Sequence, residues 1–247
     1  MRIIKMDYIS KAIVDIRKID ELGDKNTIIH RIDSSIKIIV TFFYIIKVLS
    51  MKEFIVSDSI CILLYPLILF KFGKVPVKFI LKKVLFVLLI ILGLSIINLI
   101  IDFSYSQIYF SLLLIFKCTF TLVGGLLLMA TTGINNLACG LKKLKIPNIL
   151  IMQILMLYRY IILMMEECYR VKLAYELRTL GEKTINIKDY GQIIGQMLLK
   201  TIDRSEKVYE AMNLRGFDGD LYINSNKRIA CIDFLYLIIF VLIFSLL

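Results

Sequence analysis

Long apolar runs separated by short basic connections organise most of the chain. Four come early, at about Ile36 to Ser50, Phe54 to Phe72, Val84 to Ile101 and Gln107 to Thr131, and one closes the sequence at Ala230 to Leu247. A membrane-crossing helix needs about 20 residues, so the first run must borrow flanking positions to span. Ahead of them, Ile9, Ala12, Ile13 and Ile16 share one face of an amphipathic lead-in. Lys5, Asp7, Lys11, Asp15, Arg17 and Lys18 interrupt that segment and leave no uninterrupted apolar core of the signal-peptide kind. In the polar stretch after residue 165, Ile202, Ser205, Tyr209 and Met212 recur at three- to four-residue steps among charged neighbours, which predicts an amphipathic helix. Gly181 to Asp189 reads as a turn, and Tyr190 to Leu199 as a further helix carrying Gly191 and Gly195, a weak close-packing signal.

Composition places these helices in a membrane. The 247 residues are 59% hydrophobic with no Trp and three Pro, and the mean hydropathy is +0.80. The expectation is an all-α, polytopic membrane protein with about five transmembrane helices and a long cytoplasmic helical arm. The net charge of +11 does not point to nucleic acid, because Lys and Arg gather at the ends of apolar runs and form no stripe with interleaved aromatics.

Charge also orients the chain. Lys25, Arg31 and Lys37 precede the first run, Lys71, Lys74, Lys78, Lys82 and Lys83 lie between the second and third, and Lys142, Lys143 and Lys145 follow the fourth. The connections around Ser57 and Ser104 are poor in basic residues apart from Lys52. The positive-inside rule therefore puts the N-terminus and the loops near Gly73 and Gly140 in the cytoplasm. Ile146 to Met165 is apolar but has basic residues on both sides, and crossing there would carry eleven Lys or Arg between Glu166 and Arg228 outside. With Pro147 at its start and Arg159 inside it, that segment is expected to lie at the interface and run out into the cytoplasm. Three regions follow: a membrane region with four transmembrane helices at 1–145, a cytoplasmic helical arm at 146–229, and a last transmembrane helix at 230–247 in a cell-membrane protein.

The candidate chemistry is sparse. His30 is the single histidine, and Cys61, Cys118, Cys139, Cys168 and Cys231 show no C-x-x-C spacing, so no metal site or cofactor site is expected on this chain. Gly181-Glu182-Lys183-Thr184 lacks the earlier glycine and the leading strand of a phosphate-binding loop, so ATP binding by this chain is not expected either. Lys117 lies inside the fourth run, where snorkelling, an interior hydrogen bond and a functional role all compete. Asn98 and Asp102, near the outer end of the third run, suit interfacial water or a docking surface.

One pattern occurs twice. Arg170-Val171-Lys172-Leu173-Ala174-Tyr175-Glu176-Leu177-Arg178 is echoed by Lys207-Val208-Tyr209-Glu210-Ala211-Met212-Asn213-Leu214-Arg215, each reading basic-Val-x-x-Ala-x-x-Leu-Arg. Gly181 follows the first copy after two residues, and Gly216 follows the second at once, where a helix C-cap falls. Two like helix ends suit a partner that offers two like sites.

These motifs, with Ile146-Pro147-Asn148, Tyr158-Arg159-Tyr160, Glu166-Glu167 and Ile29-His30-Arg31-Ile32-Asp33, resemble the transmembrane T component of energy-coupling-factor transporters, in its cobalt branch often called CbiQ. The resemblance implies a non-catalytic subunit. Its coupling helices, carrying Ala174, Arg178 and Gly181 in one copy and Ala211, Arg215 and Gly216 in the other, would insert into two cytoplasmic ATP-binding subunits. A separate membrane subunit would capture the substrate, with cobalt or nickel favoured and a vitamin as the alternative. In the family the pattern is commonly Ala-Arg-Gly-like in both copies, whereas here Arg178 is followed by Thr179 and Leu180 before Gly181. A stand-alone secondary transporter would show inverted repeats and midplane ionisable residues, and neither is evident.

Overall fold

The computed structural model describes residues 8–23, 27–53, 56–73, 75–101, 105–178 and 187–218, together with 233–234, 236–238 and 240 of the last apolar run. These residues are helical without strands, and the chain is an all-α membrane protein. They group into two compact units, one of residues 19–145 with 224–247 and the other of 1–18 with 146–223.

Within the first unit, α3 (Ser34–Ser50) packs against α6 (Tyr105–Thr132), the helix on which most of this unit's elements meet. Helix α3 buries Ile36, Val40, Tyr44 and Val48 at successive four-residue steps, while Phe42, Phe43, Ile46 and Leu49 remain exposed. A helix that is apolar on its exposed face as well suits a lipid surround. On α6 also pack α4 (Val56–Gly73) and α5 (Val77–Ile101), and the short α2 (Ile28–Arg31), just before α3, meets α4 and α6. The core centres on Tyr44, whose ring stacks on Tyr65 at 4.3 Å, and Tyr65 in turn meets Phe240 of the last run edge-on at 5.1 Å. Pro66 sits inside α4 and has no N–H to give the Ile62 carbonyl one turn earlier. The Tyr44 hydroxyl lies 3.4 Å from that carbonyl and equally far from the Phe120 carbonyl of α6, between two acceptors for its one hydrogen. Gly124 of α6 makes room for the ring, since a Cβ there would come within 2.8 Å of the Tyr44 Cε1.

Two lysines bind α3 and α6 to each other in a reciprocal way. Lys37, near the start of α3, is buried and donates to the Thr131 carbonyl at the end of α6, at 3.0 Å. Lys117 of α6 donates to the Leu49 carbonyl at the end of α3, also at 3.0 Å. Each ammonium thus satisfies a last-turn carbonyl that has no partner in its own helix. The half-buried Lys117 places its charge in a hydrogen bond at the exposed end of α3. Past α6 the chain turns at Gly133, whose φ is +68°, into α7 (Ile134–Lys143).

In the second unit, α8 is one helix from Asn148 to Arg178, and α9 is one helix from Ile187 to Leu214. The apolar segment from residue 148 on thus runs without a break into the first motif. The helix expected at 190–199 and the amphipathic pattern after it are likewise continuous. Polarity changes sharply at Glu166-Glu167, but glutamate is a good helix former and neither Gly nor Pro intervenes. The N-terminal lead-in is α1 (Tyr8–Gly23), with Ile13 and Ile16 half-buried and Lys11, Asp15, Arg17 and Lys18 exposed.

Among the described residues three stretches are long and apolar enough to cross a membrane: Ile80–Asn98, Tyr105–Thr132 and Asn148–Tyr175. The apolar part of α4, Ile62–Gly73, is shorter. Of the two polar residues near the outer end of the third run, Asn98 is exposed and Asp102 lies outside the described residues.

Candidate functional site

The two copies of the repeated motif form the C-terminal ends of α8 and α9. Ala174 and Arg178 are exposed, and Arg178 is the last residue of α8. Gly181 lies outside the described residues. In the second copy Ala211, Arg215 and Gly216 are all exposed. The leucine before each arginine is exposed too, Leu177 at 75% and Leu214 at 90%.

The end of α9 shows how the backbone presents that pair. Gly216 takes φ +79°, its N–H donates to the Asn213 carbonyl at 3.0 Å, and the Phe217 N–H donates to the Met212 carbonyl at 3.1 Å. This is a Schellman cap with Gly216 as the left-handed residue. The Met212 and Asn213 carbonyls are thus satisfied by backbone donors without help from the Arg215 side chain. Among the described residues neither Arg178 nor Arg215 has an ion pair.

Glycine is required at 216 for its backbone and not for space, because nothing lies within 4 Å of a Cβ built there. Gly216→Ala is therefore expected to lower stability by about 1 kcal/mol, the cost of holding an L-residue in the left-handed region. Thermal melting of the detergent-solubilised protein measures it, and Gly216→Asn, which tolerates that region better, should lose less. A full wild-type melt for the alanine variant would show that the cap does not hold this helix end.

Both motif helices are clamped to each other well before their ends. Lys200 of α9 pairs with Glu167 of α8 at 2.6 Å, and Arg170 approaches the other Glu167 oxygen at 3.5 Å. The Thr201 hydroxyl lies 3.4 Å from the Met164 sulfur, and the Arg204 guanidinium lies 5.8 Å over the Tyr160 ring. Arg17 of α1 pairs with Glu166 at 2.8 Å. At 1.5 Å per residue, Arg178 stands roughly 16 Å beyond Glu167 and Arg215 roughly 22 Å beyond Lys200. Each arginine is thus carried at the tip of a rigid helix. The Gly191 and Gly195 face of α9 is open, with nothing within 4 Å of a Cβ at either position.

A second polar cluster was not foreseen from the pattern of the sequence. Asp33 is buried, caps α3 by accepting the Ser35 N–H at 2.9 Å, and pairs with Lys143 at the end of α7. Its own N–H donates to the buried Asp233 carboxylate of the last run at 2.9 Å. The Ser35 hydroxyl reaches the Gly140 carbonyl at 3.1 Å. One signal was available: Asp233 is the lone acid of the final apolar run. His30 lies nearby in sequence with both ring nitrogens engaged, Nδ1 with the Thr27 hydroxyl at 2.6 Å and Nε2 with the Leu22 carbonyl at 2.8 Å. Those bonds make it a tie between backbone segments. Cys118, Cys139 and Cys168 are half-buried free thiols, and among the described residues no three His, Cys, Asp or Glu come together as a metal site.

Comparison with known proteins adds a second line of observation. The sequence profile of the family described as cobalt transport protein, CbiQ, matches residues 25–226. The nickel permease LarQ of Lactiplantibacillus plantarum is 30% identical over 107 residues, covering 43% of this chain and 39% of that protein. The cobalt transport protein CbiQ of Rhodobacter capsulatus is 28% identical over 105 residues, covering 42% of this chain and 43% of that protein. An uncharacterized protein of Methanocaldococcus jannaschii is 28% identical over 142 residues, 54% of this chain and 49% of that protein. In each case the matched region spans less than half the length of the relative.

Proposed function

This chain belongs to the CbiQ cobalt transport protein family, and from that premise we propose that it couples ATP hydrolysis by two cytoplasmic ATPase subunits to substrate import through a separate membrane capture subunit. The observation that carries the reading is the exposed Leu214-Arg215 pair at a backbone-capped helix end, repeated in type at Leu177-Arg178. ATP-driven motion reaches a membrane subunit only through contacts that differ between the open and closed ATPase pair. A rigid helix with a guanidinium at its tip supplies such a contact, since arginine stays charged and directs several hydrogen bonds at once. The ATPases carry out the hydrolysis, and this chain is the non-catalytic lever. The cargo is cobalt or nickel ion, as the names of the relatives indicate for those proteins.

In this reading the N-terminus and the arm at 146–229 face the cytoplasm, with the apolar part of α8 at the membrane interface. A single cysteine replacing Lys188, in a chain freed of native cysteines, is expected to react with an impermeant reagent only from the cytoplasmic side. Labelling from outside intact cells would reverse that orientation.

The functional test is co-expression with candidate ATPase and capture subunits, followed by affinity purification and uptake of labelled cobalt and nickel. The chain should co-purify with the ATPases, and uptake should require all the subunits and hydrolysable ATP. Uptake by this chain alone, without ATPases, would make it a secondary transporter and end the coupling reading.

A further inference from the structure

Between α8 and α9 lies an open groove of about 290 Å³ that the coupling reading does not use. Met152, Met156, Tyr160 and Met164 line it at four-residue steps of α8, with Val208 and Met212 among the α9 residues opposite. Its volume is close to the ~300 Å³ at which small-molecule sites begin. Methionine side chains are flexible and polarizable, so such walls adapt to an irregular apolar occupant.

The polar groups at the groove are divided in a telling way. The Thr201 and Ser205 hydroxyls donate to carbonyls of their own helix, Met197 at 2.6 Å and Ile202 at 2.8 Å. They ask nothing of an occupant. Arg204 is the one charged residue of the lining. Its guanidinium rests on the face of Tyr160 at 5.8 Å and makes no ion pair with any described residue, and after Lys200 and Arg170 its charge helps to hold the Glu167 carboxyl below its usual range. Arg159 is exposed and lies 6.0 Å from the same ring. Glu167, the carboxylate further along α8, is already paired with Lys200 and Arg170.

We propose that this groove holds an acyl chain of an anionic phospholipid, with the lipid phosphate on the Arg204 guanidinium. An apolar slot with a single stacked arginine is complementary to a molecule that joins a hydrocarbon tail to a negative head. The setting supplies that molecule, because one wall of the groove belongs to Asn148–Tyr175, a stretch apolar enough to lie in a bilayer. Met212 both lines the groove and accepts the Phe217 N–H of the α9 cap. Occupancy would therefore stiffen the helix end that carries Arg215.

The chain has no Trp, so Tyr160→Trp places a lone fluorophore in the groove and keeps an aromatic face for Arg204. The full chain in dodecyl maltoside micelles is titrated with phosphatidylglycerol brominated on its acyl chains, and separately with brominated phosphatidylcholine. Phosphatidylglycerol should quench at a mole fraction about tenfold lower, the scale of one charge-assisted hydrogen bond. Adding Arg204→Gln should remove that preference and Arg204→Lys should keep part of it, with helicity by circular dichroism unchanged. Tyr209→Trp on α9 is the second reporter if the first variant folds poorly. Equal quenching by both lipids, or a preference that survives Arg204→Gln, would overturn the assignment. So would relief of quenching when the ATPase subunits are added, which would make the groove a protein contact.

Discussion

Replacing Arg178 and Arg215 together with alanine is expected to abolish co-purification of the ATPase subunits and to reduce ATP-dependent uptake to background. On the coupling reading each single change would remove a charge-assisted hydrogen bond worth about 1.5 to 3 kcal/mol, a loss of roughly tenfold or more in complex stability. Arg215→Ala should show the larger single effect, because its helix stops at the arginine through the Gly216 cap, whereas no glycine follows Arg178 until Gly181. On the proposed reading the two arginines sit in like grooves of an ATPase pair, so losing both would compound the loss. Folding is not expected to suffer. Arg215 is exposed, and its helix end is capped by the N–H groups of Gly216 and Phe217. The thermal melt should therefore stay within about 0.5 kcal/mol of wild type. Near-normal pull-down and uptake for the double variant would refute the coupling role of the repeated motif.

Breaking the buried pair at the start of α3 should cost the most stability. Asp33→Ala removes at once the cap of α3 and the carboxylate facing Lys143. Stranding one partner of a buried ion pair typically costs 3 to 5 kcal/mol, and because Lys143 keeps partial contact with solvent the expectation is about 3 kcal/mol. The double variant Asp33→Asn with Lys143→Met should be less damaging than Asp33→Asn alone, since no unmatched charge remains. Acid provides an independent check. Burial by itself would raise the Asp33 carboxyl pKa, but the hydrogen bond and charge of Lys143 and the Ser35 backbone N–H together hold it below its ordinary value. A depressed carboxylate contributes stability that is present above the unfolded pKa of about 3.9 and lost as pH falls through the folded value. Apparent Tm of the solubilised protein between pH 6 and pH 3 should therefore drop in the acid range for wild type and less for Asp33→Asn. Parallel acid profiles for the two proteins would show that this carboxylate does not carry the effect.

Much of the architecture was legible because helix formation is a local decision. The run at Ile36 to Ser50 is α3, Ser34–Ser50, and the run at Gln107 to Thr131 is α6, Tyr105–Thr132. The Gly216 cap was equally readable, since a left-handed terminal residue is a property of that residue and its neighbours. The run at Val84 to Ile101 was read too short: α5 begins at Val77 and takes in Lys78, Lys82 and Lys83. A change in polarity altered the expected surroundings of the chain but did not end the helix. The same reasoning joins Ile146 to Met165 with the first motif, because α8 runs from Asn148 to Arg178 with neither Gly nor Pro inside it.

What tertiary structure alone decided is the partner of each isolated polar group. Lys37 finds the Thr131 carbonyl 94 residues away, Lys117 finds the Leu49 carbonyl 68 residues away, and Asp33 binds Lys143 and Asp233 across 110 and 200 residues. The sequence by itself determined that a charge inside an apolar helix must be satisfied, because leaving it bare in hydrocarbon is costly. It could not determine by what, since that depends on which helices lie side by side. The groove between α8 and α9 has the same origin: its methionines are spaced along one helix, but a cavity exists only where a second helix supplies the opposite wall.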